Sequence, residues 1–111
     1  MAGRVAIASS DGNNIDLHFA KASNFYIYDL SDSGYQFIEN RKLTSQAQGH
    51  NENEFEKILT LLEDCKAILV SQIGKGALGY VSSKGIRVFE APYPIDRVLE
   101  KFIQKSILDN D

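Results

Sequence analysis

A chain of 111 residues, 43% hydrophobic and 24% charged, matches one ordinary globular domain that can bury a core without disulfides or a structural metal. Its 12 basic and 15 acidic side chains leave a formal net charge of -3, which gives no footprint for nucleic acid, though a local basic pocket stays compatible with it. The single cysteine, Cys65, excludes an internal disulfide, a four-cysteine cluster and a four-cysteine zinc site, and points to a reducing, cytoplasmic setting.

Val5 to Ala8 is a short apolar run that ends in Ser9-Ser10-Asp11-Gly12-Asn13-Asn14, hence a buried strand followed by a polar loop. No charged leader with a long apolar stretch precedes it, so no signal peptide is expected. Phe25-Tyr26-Ile27-Tyr28 is aromatic and β-branched and reads as a second strand. The turn cluster Ser31-Asp32-Ser33-Gly34 joins it to a third, Tyr35 to Asn40, as a hairpin. Residues 42–50 are polar and read as a loop.

Phe55, Ile58, Leu59, Leu61 and Leu62 recur at helical spacing, with Glu52, Glu54 and Glu56 at the positive end of the helix dipole. Asn51 and Glu54 resemble a capping box. Ala67-Ile68-Leu69-Val70 is wholly apolar, so a central fourth strand is expected. It is the longest clean apolar run and is far too short to span a membrane. Gly74 opens a short second helix that ends at Lys84-Gly85, glycine being a good terminator. Ile86 to Phe89 is a fifth strand. Pro94 suits a first helical turn, and Ile95, Val98, Leu99, Phe102, Ile103 and Ile107 mark a third amphipathic helix.

The order is βββαβαβα, an α/β pattern that predicts a five-stranded mixed sheet with only the second strand antiparallel. The loops after strands one, three, four and five then leave one edge, where open α/β sheets bind ligands. His18, His50 and the glycine-rich turn all belong to those loops. Cys65 belongs to the opposite edge and reads as a small buried apolar residue.

His18, flanked by Leu17 and Phe19, is a candidate metal ligand, since imidazole suits iron and other transition metals; a lone loop histidine is also commonly structural or solvated. His50 is either a second such group or a solvated residue before a helix. Gly74-Lys75-Gly76-Ala77-Leu78-Gly79 follows a strand and opens a helix, the context of a dinucleotide fingerprint, with Glu90 as the ribose-binding acid. The helix is short, however, and the chain too small for two mononucleotide halves. Anion binding by the amides at the helix start, helped by Lys75, is the more general reading, beside a tight turn that only needs small residues. Asp11 and Asp16 read as solvated loop acids, and Arg97, Lys101 and Lys105 as a solvated helix stripe.

Val5-Ala6-Ile7-Ala8-Ser9, Leu17-His18-Phe19-Ala20-Lys21-Ala22 and Phe25-Tyr26-Ile27-Tyr28-Asp29 stand in an order that Cys65 to Ala77 and Lys84-Gly85-Ile86-Arg87-Val88 continue. Across nearly the whole chain this resembles the dinitrogenase iron–molybdenum cofactor-binding family. The resemblance implies a ribonuclease H-like three-layer fold and non-covalent, transient carriage of an iron–sulfur or molybdenum–iron–sulfur cluster rather than catalysis. It implies metallocofactor donor and acceptor proteins as partners, with neither nucleic acid nor membrane. His18 matches the histidine of the family's His-Phe-Gly motif and inherits the metal-ligand role, with Ala20 standing where that glycine is usual. Ile73 to Ala77 matches the family's glycine-rich turn. The resemblance assigns no role to Cys65 or His50; with the loop residues of the carboxyl edge added, the candidate cofactor-binding set is His18, Ser71, Gly74, Lys75, Gly76 and His50, with no catalytic residue. Two alternatives stand beside this carrier: a phosphate- or nucleotide-binding module using the turn 74–79, and an interaction module without a cofactor.

Overall fold

The computed structural model describes residues 3–43 and 52–105. His50, the Asn51–Glu54 box and Ile107 lie outside what it describes. Five strands, β1 (Arg4–Ala8), β2 (Asn24–Ser31), β3 (Gly34–Lys42), β4 (Ala67–Val70) and β5 (Arg87–Glu90), form one mixed sheet in the order β3-β2-β1-β4-β5. The helices are α1 (Glu52–Leu61), α2 (Lys75–Ser83) and α3 (Ile95–Gln104), and a single 3-10 turn covers Phe19–Lys21. β1 pairs antiparallel with β2 and parallel with β4, and β4 pairs parallel with β5. The expected mixed sheet is therefore present. Among the described residues no helix is long and apolar enough to cross a membrane.

Period-two alternation sends the side chains of the central strands to opposite faces. Ala6, Ala8, Ile68 and Val70 meet Ile58, Leu59 and Leu62 of α1 and its C-terminal end and Ala77 and Val81 of α2. Val5, Ile7, Ala67 and Leu69 meet Ile95, Val98, Leu99 and Phe102 of α3. The result is three layers, with β1 and β4 buried on both sides, which explains why their sequences are continuous apolar runs.

The hairpin is longer than the aromatic run suggests. β2 and β3 pair from Asn24 opposite Lys42 to Ser31 opposite Gly34, with a register shift at Ile27/Tyr28. Backbone pairing carries the strands past the residues whose side chains announce them. Gly85 follows α2 with φ of 85°, the left-handed conformation that ends helices and favours glycine. Pro94 is a correction: it is the N-cap of α3, with extended ψ of 139°, and not a residue of the first helical turn.

Candidate functional site

β1 is followed by Ser9, which is fully buried although polar. Its Oγ accepts the amide of Gly12 at 2.9 Å and donates to Asp11 Oδ1 at 3.2 Å. Asp11 Oδ1 also accepts the amides of Asn13 at 2.8 Å and Asn14 at 3.1 Å. Those backbone donors, Asn13 first, hold the Asp11 carboxyl below the usual carboxylate range. Asp16 accepts the amide of Ser10 at 2.8 Å and its hydroxyl at 2.5 Å. Both carboxylates thus brace the loop through hydrogen bonds. The Gly12 φ of 79° and the ring of Tyr26, which a Cβ there would meet at 2.9 Å, explain the glycine of this turn.

The loop then returns to the sheet. Leu17 donates its amide to Ala8 O at 3.4 Å, Ser71 donates to Leu17 O at 3.0 Å, and Phe19 donates to Gln72 O at 2.9 Å. His18 and Gln72 form a parallel β-bridge. Residues 17–19 therefore lie between the ends of β1 and β4, where this topology would otherwise leave its crevice. The local sequence dictates the orientation. Phe19 is 0% exposed in the core and Leu17 packs against it, so alternation turns His18 outward. His18 is exposed, and its ring has no hydrogen-bond partner among the described residues.

Across the bridge, residues 71–74 lead from β4 into α2. Gly74 is the N-cap, with φ of -76° and no side-chain capping bond, and Leu78 donates the first helical bond to Gly74 O at 2.9 Å. The amides of Lys75, Gly76 and Ala77 precede that bond, as the first donors of any helix do. Gly74, Lys75 and Gly76 are exposed. A Cβ at Gly74 or Gly76 would meet no atom within 4 Å, so crowding within the chain does not demand glycine at either position. This corrects the reading of a tight turn that needs small residues. Ser71 Oγ is buried without a partner.

Glu90 is also reassigned. Its Oε2 accepts the amide of Ile73 at 2.9 Å, so it ties the end of β5 to the loop before α2 instead of waiting for a ribose. Nothing local in the sequence announces a contact between residues 17 positions apart.

His18, Ser71, Gly74, Lys75 and Gly76 are thus brought to one exposed edge. Three grooves, of about 760, 430 and 380 Å³, are lined by other residues. Among the described residues no three His, Cys, Asp or Glu side chains gather as a metal site. Cys65 lies at the far edge, 5% exposed, with burial the main cause that pushes its thiol up to about 12. That edge carries an ion network that sequence reading missed: Arg4 with Asp29 and Asp64, and Arg41 with Asp64 and Glu39.

Residues 1–105 match the family model described as dinitrogenase iron-molybdenum cofactor. The chain is 36% identical over 110 residues to the FeMo cofactor biosynthesis protein NifB of Klebsiella pneumoniae, covering 91% of this chain and 24% of that protein. It is 30% identical over 106 residues to Protein NifX of Rhodobacter capsulatus, covering 88% of this chain and 66% of that protein. The chain spans about a fifth to a quarter of the length of the first NifB relatives it matches. The crystal structure of PH0822 superposes with a TM-score of 0.71 at 25% identity, covering 92% of this chain and 90% of that one.

Proposed function

Because the chain belongs to the dinitrogenase iron–molybdenum cofactor family, we propose that it holds a preassembled iron–sulfur or molybdenum–iron–sulfur cluster, non-covalently and transiently, in metallocofactor assembly. The cluster is cargo, taken from a donor protein and passed to an acceptor in the cytoplasm, and no reaction is catalysed on it. We place the fold with the ribonuclease H-like domains on the same grounds.

The observation that carries this reading is the exposed, unpartnered imidazole of His18, bridged through its backbone to the loop that opens α2. A neutral imidazole ligates one metal of a cluster. The amides of Lys75, Gly76 and Ala77 donate to its sulfides or other anionic groups, helped by the positive end of the helix dipole and by Lys75. Glycines at 74 and 76 leave room for a bulky anion to reach those amides. Ser71, whose Oγ is buried without a hydrogen-bond partner, begins the same loop. One imidazole and a few hydrogen bonds suit cargo that must be released, because each contact breaks without unfolding the carrier.

Anaerobic titration with isolated iron–molybdenum cofactor, and separately with an iron–sulfur cluster, tests this by visible absorption and co-elution. His18→Ala is expected to weaken binding at least tenfold, or about 1.4 kcal/mol. Unchanged affinity would remove His18 from the site, and no binding by the native chain would remove the carrier reading. The phosphate or nucleotide alternative loses its acidic ribose partner to the Glu90–Ile73 hydrogen bond, and a thermal-shift screen against nucleotides tests what is left of it.

A further inference from the structure

A groove of about 760 Å³ lies away from His18, between β5 and α3. It exists because the α3 backbone packs toward β2 and β3, while α2 covers β5 on the other face of the sheet. Over the β5 half of the α3 face the groove stays open beside α3, whose Phe102 meets Phe89. The floor of the groove is apolar, formed by Phe89 edge-to-face on Phe102 at 4.9 Å, with Val98 and Ala91. One wall is the α3 stripe Arg97, Lys101 and Lys105. All three are exposed, and none has an ion-pair partner among the described residues. Arg87 of β5 stacks its guanidinium over Phe89 at 5.1 Å. The lining carboxylates are Glu100 and Glu90, and the second is held by the Ile73 amide. Asp96 faces a different groove, beside Tyr28 and Tyr35. In a chain of net charge -3, this wall is a local reversal of sign.

The other border is a sheet edge that no described strand covers. β5 is the last strand in the order, and the amides of Arg87 and Ala91 donate toward β4. In a parallel strand, the backbone groups of Val88 and Glu90 therefore point outward, available for another strand. The spacing of the two borders agrees. Cations four residues apart on a helix are separated by about 6.0 Å. Alternate side chains of an extended strand are separated by about 6.6 Å.

We propose that this groove is a docking site for an extended acidic segment of a partner protein, which adds to the free edge of β5 and sets alternate carboxylates against Arg97, Lys101 and Lys105. Backbone hydrogen bonds to Val88 and Glu90 fix the register of the segment. The stripe selects its charge, and the Phe89–Phe102 floor takes an apolar side chain between the acidic ones. The site is independent of the cluster reading, because it shares neither His18 nor residues 71–77 with it.

The test uses the full chain and a fluorescein-labelled ten-residue peptide of alternating glutamate and valine, read by fluorescence anisotropy. Saturable binding is expected, weakening as salt rises. Lys101→Glu with Lys105→Glu should weaken it at least tenfold, and Lys101→Gln with Lys105→Gln by a smaller factor; thermal melts check that both variants stay folded. A peptide N-methylated on every residue should bind at least tenfold more weakly, since neither of its edges keeps an amide to donate to β5. Equal binding of the N-methylated peptide, or of a lysine–valine peptide, would overturn the proposal. So would a failure of the native chain to bind, or sedimentation showing that a second copy of this chain occupies the groove.

Discussion

The two edges of the sheet differ in how their polar groups are used. At the amino edge of β1, Arg4 bonds Asp29 at 2.9 Å and Asp64 at 3.0 Å, while Arg41 reaches Asp64 at 2.6 Å and Glu39 at 2.7 Å. Arg41 also donates to Leu61 O at 2.9 Å. Each charge there has a partner within the chain, and Cys65 beside it is buried. At the carboxyl edge, among the described residues, His18 projects without a partner, α2 begins without a side-chain cap, and Ser71 Oγ is unsatisfied. A saturated edge holds elements together, whereas an unsaturated one keeps donors free for something outside the chain. The abundance of ionisable residues is therefore a poor guide to the site, because the denser cluster is the structural one.

Four outcomes would break or sharpen this contrast. Phe19→Ala is expected to cost most, about 3–5 kcal/mol by urea denaturation, because Phe19 is fully buried and anchors the segment that carries His18. A loss under 1 kcal/mol would mean that residues 17–19 are not pinned to the core. His18→Ala should separate function from stability: at least tenfold weaker cluster binding, with stability changed by no more than about 0.5 kcal/mol. A large loss of stability would move His18 to the structural class.

Asp64→Asn comes next, with an expected cost of about 1 kcal/mol or less at pH 7, since the carboxylate is partly exposed and solvent screens the pairs. Hydrogen bonds from Arg41, then Arg4, hold the Asp64 carboxyl well below the usual carboxylate range. A lowered folded-state value means the contribution is complete above the unfolded value of about 4 and fades as pH falls below it. The gap between wild type and Asp64→Asn should therefore shrink as pH falls from about 4 toward 2, and a gap undiminished over that range would exclude Asp64 as its source. The smallest effect belongs to Cys65. With its thiol pushed up to about 12, the folded protein should react negligibly with a thiol-specific disulfide reagent at pH 8 and fully once unfolded. Rapid labelling of the folded chain would mark that edge as open.

Much of the architecture was legible. The apolar run at 67–70 appears as β4 with those bounds, and the helical spacing of Ile95, Val98, Leu99 and Phe102 appears as the buried face of α3. These succeed because periodicity records which side of an element meets the core, and that is local information. Pro94 was misplaced by one helical position, since Pro at the N-cap and Pro in the first turn leave the same sequence signal. Of the two readings of the turn at 74–76, the open space around Gly74 and Gly76 disfavours the tight turn that needs small residues, which a sequence could not show because it does not reveal what surrounds a residue.

The site divides along the same line. Leu17-His18-Phe19 by itself determined that the imidazole points outward, because two apolar neighbours at alternate positions turn inward together. The family pattern, likewise, was carried by the order of short segments along the chain. Only the tertiary structure decided that residues 17–19 fill the space between β1 and β4, that Glu90 engages the Ile73 amide, and that Asp64 serves two arginines 23 and 60 residues away. Those contacts join positions far apart in the chain, and their partners are chosen by strand order and packing, which no local pattern of residues encodes.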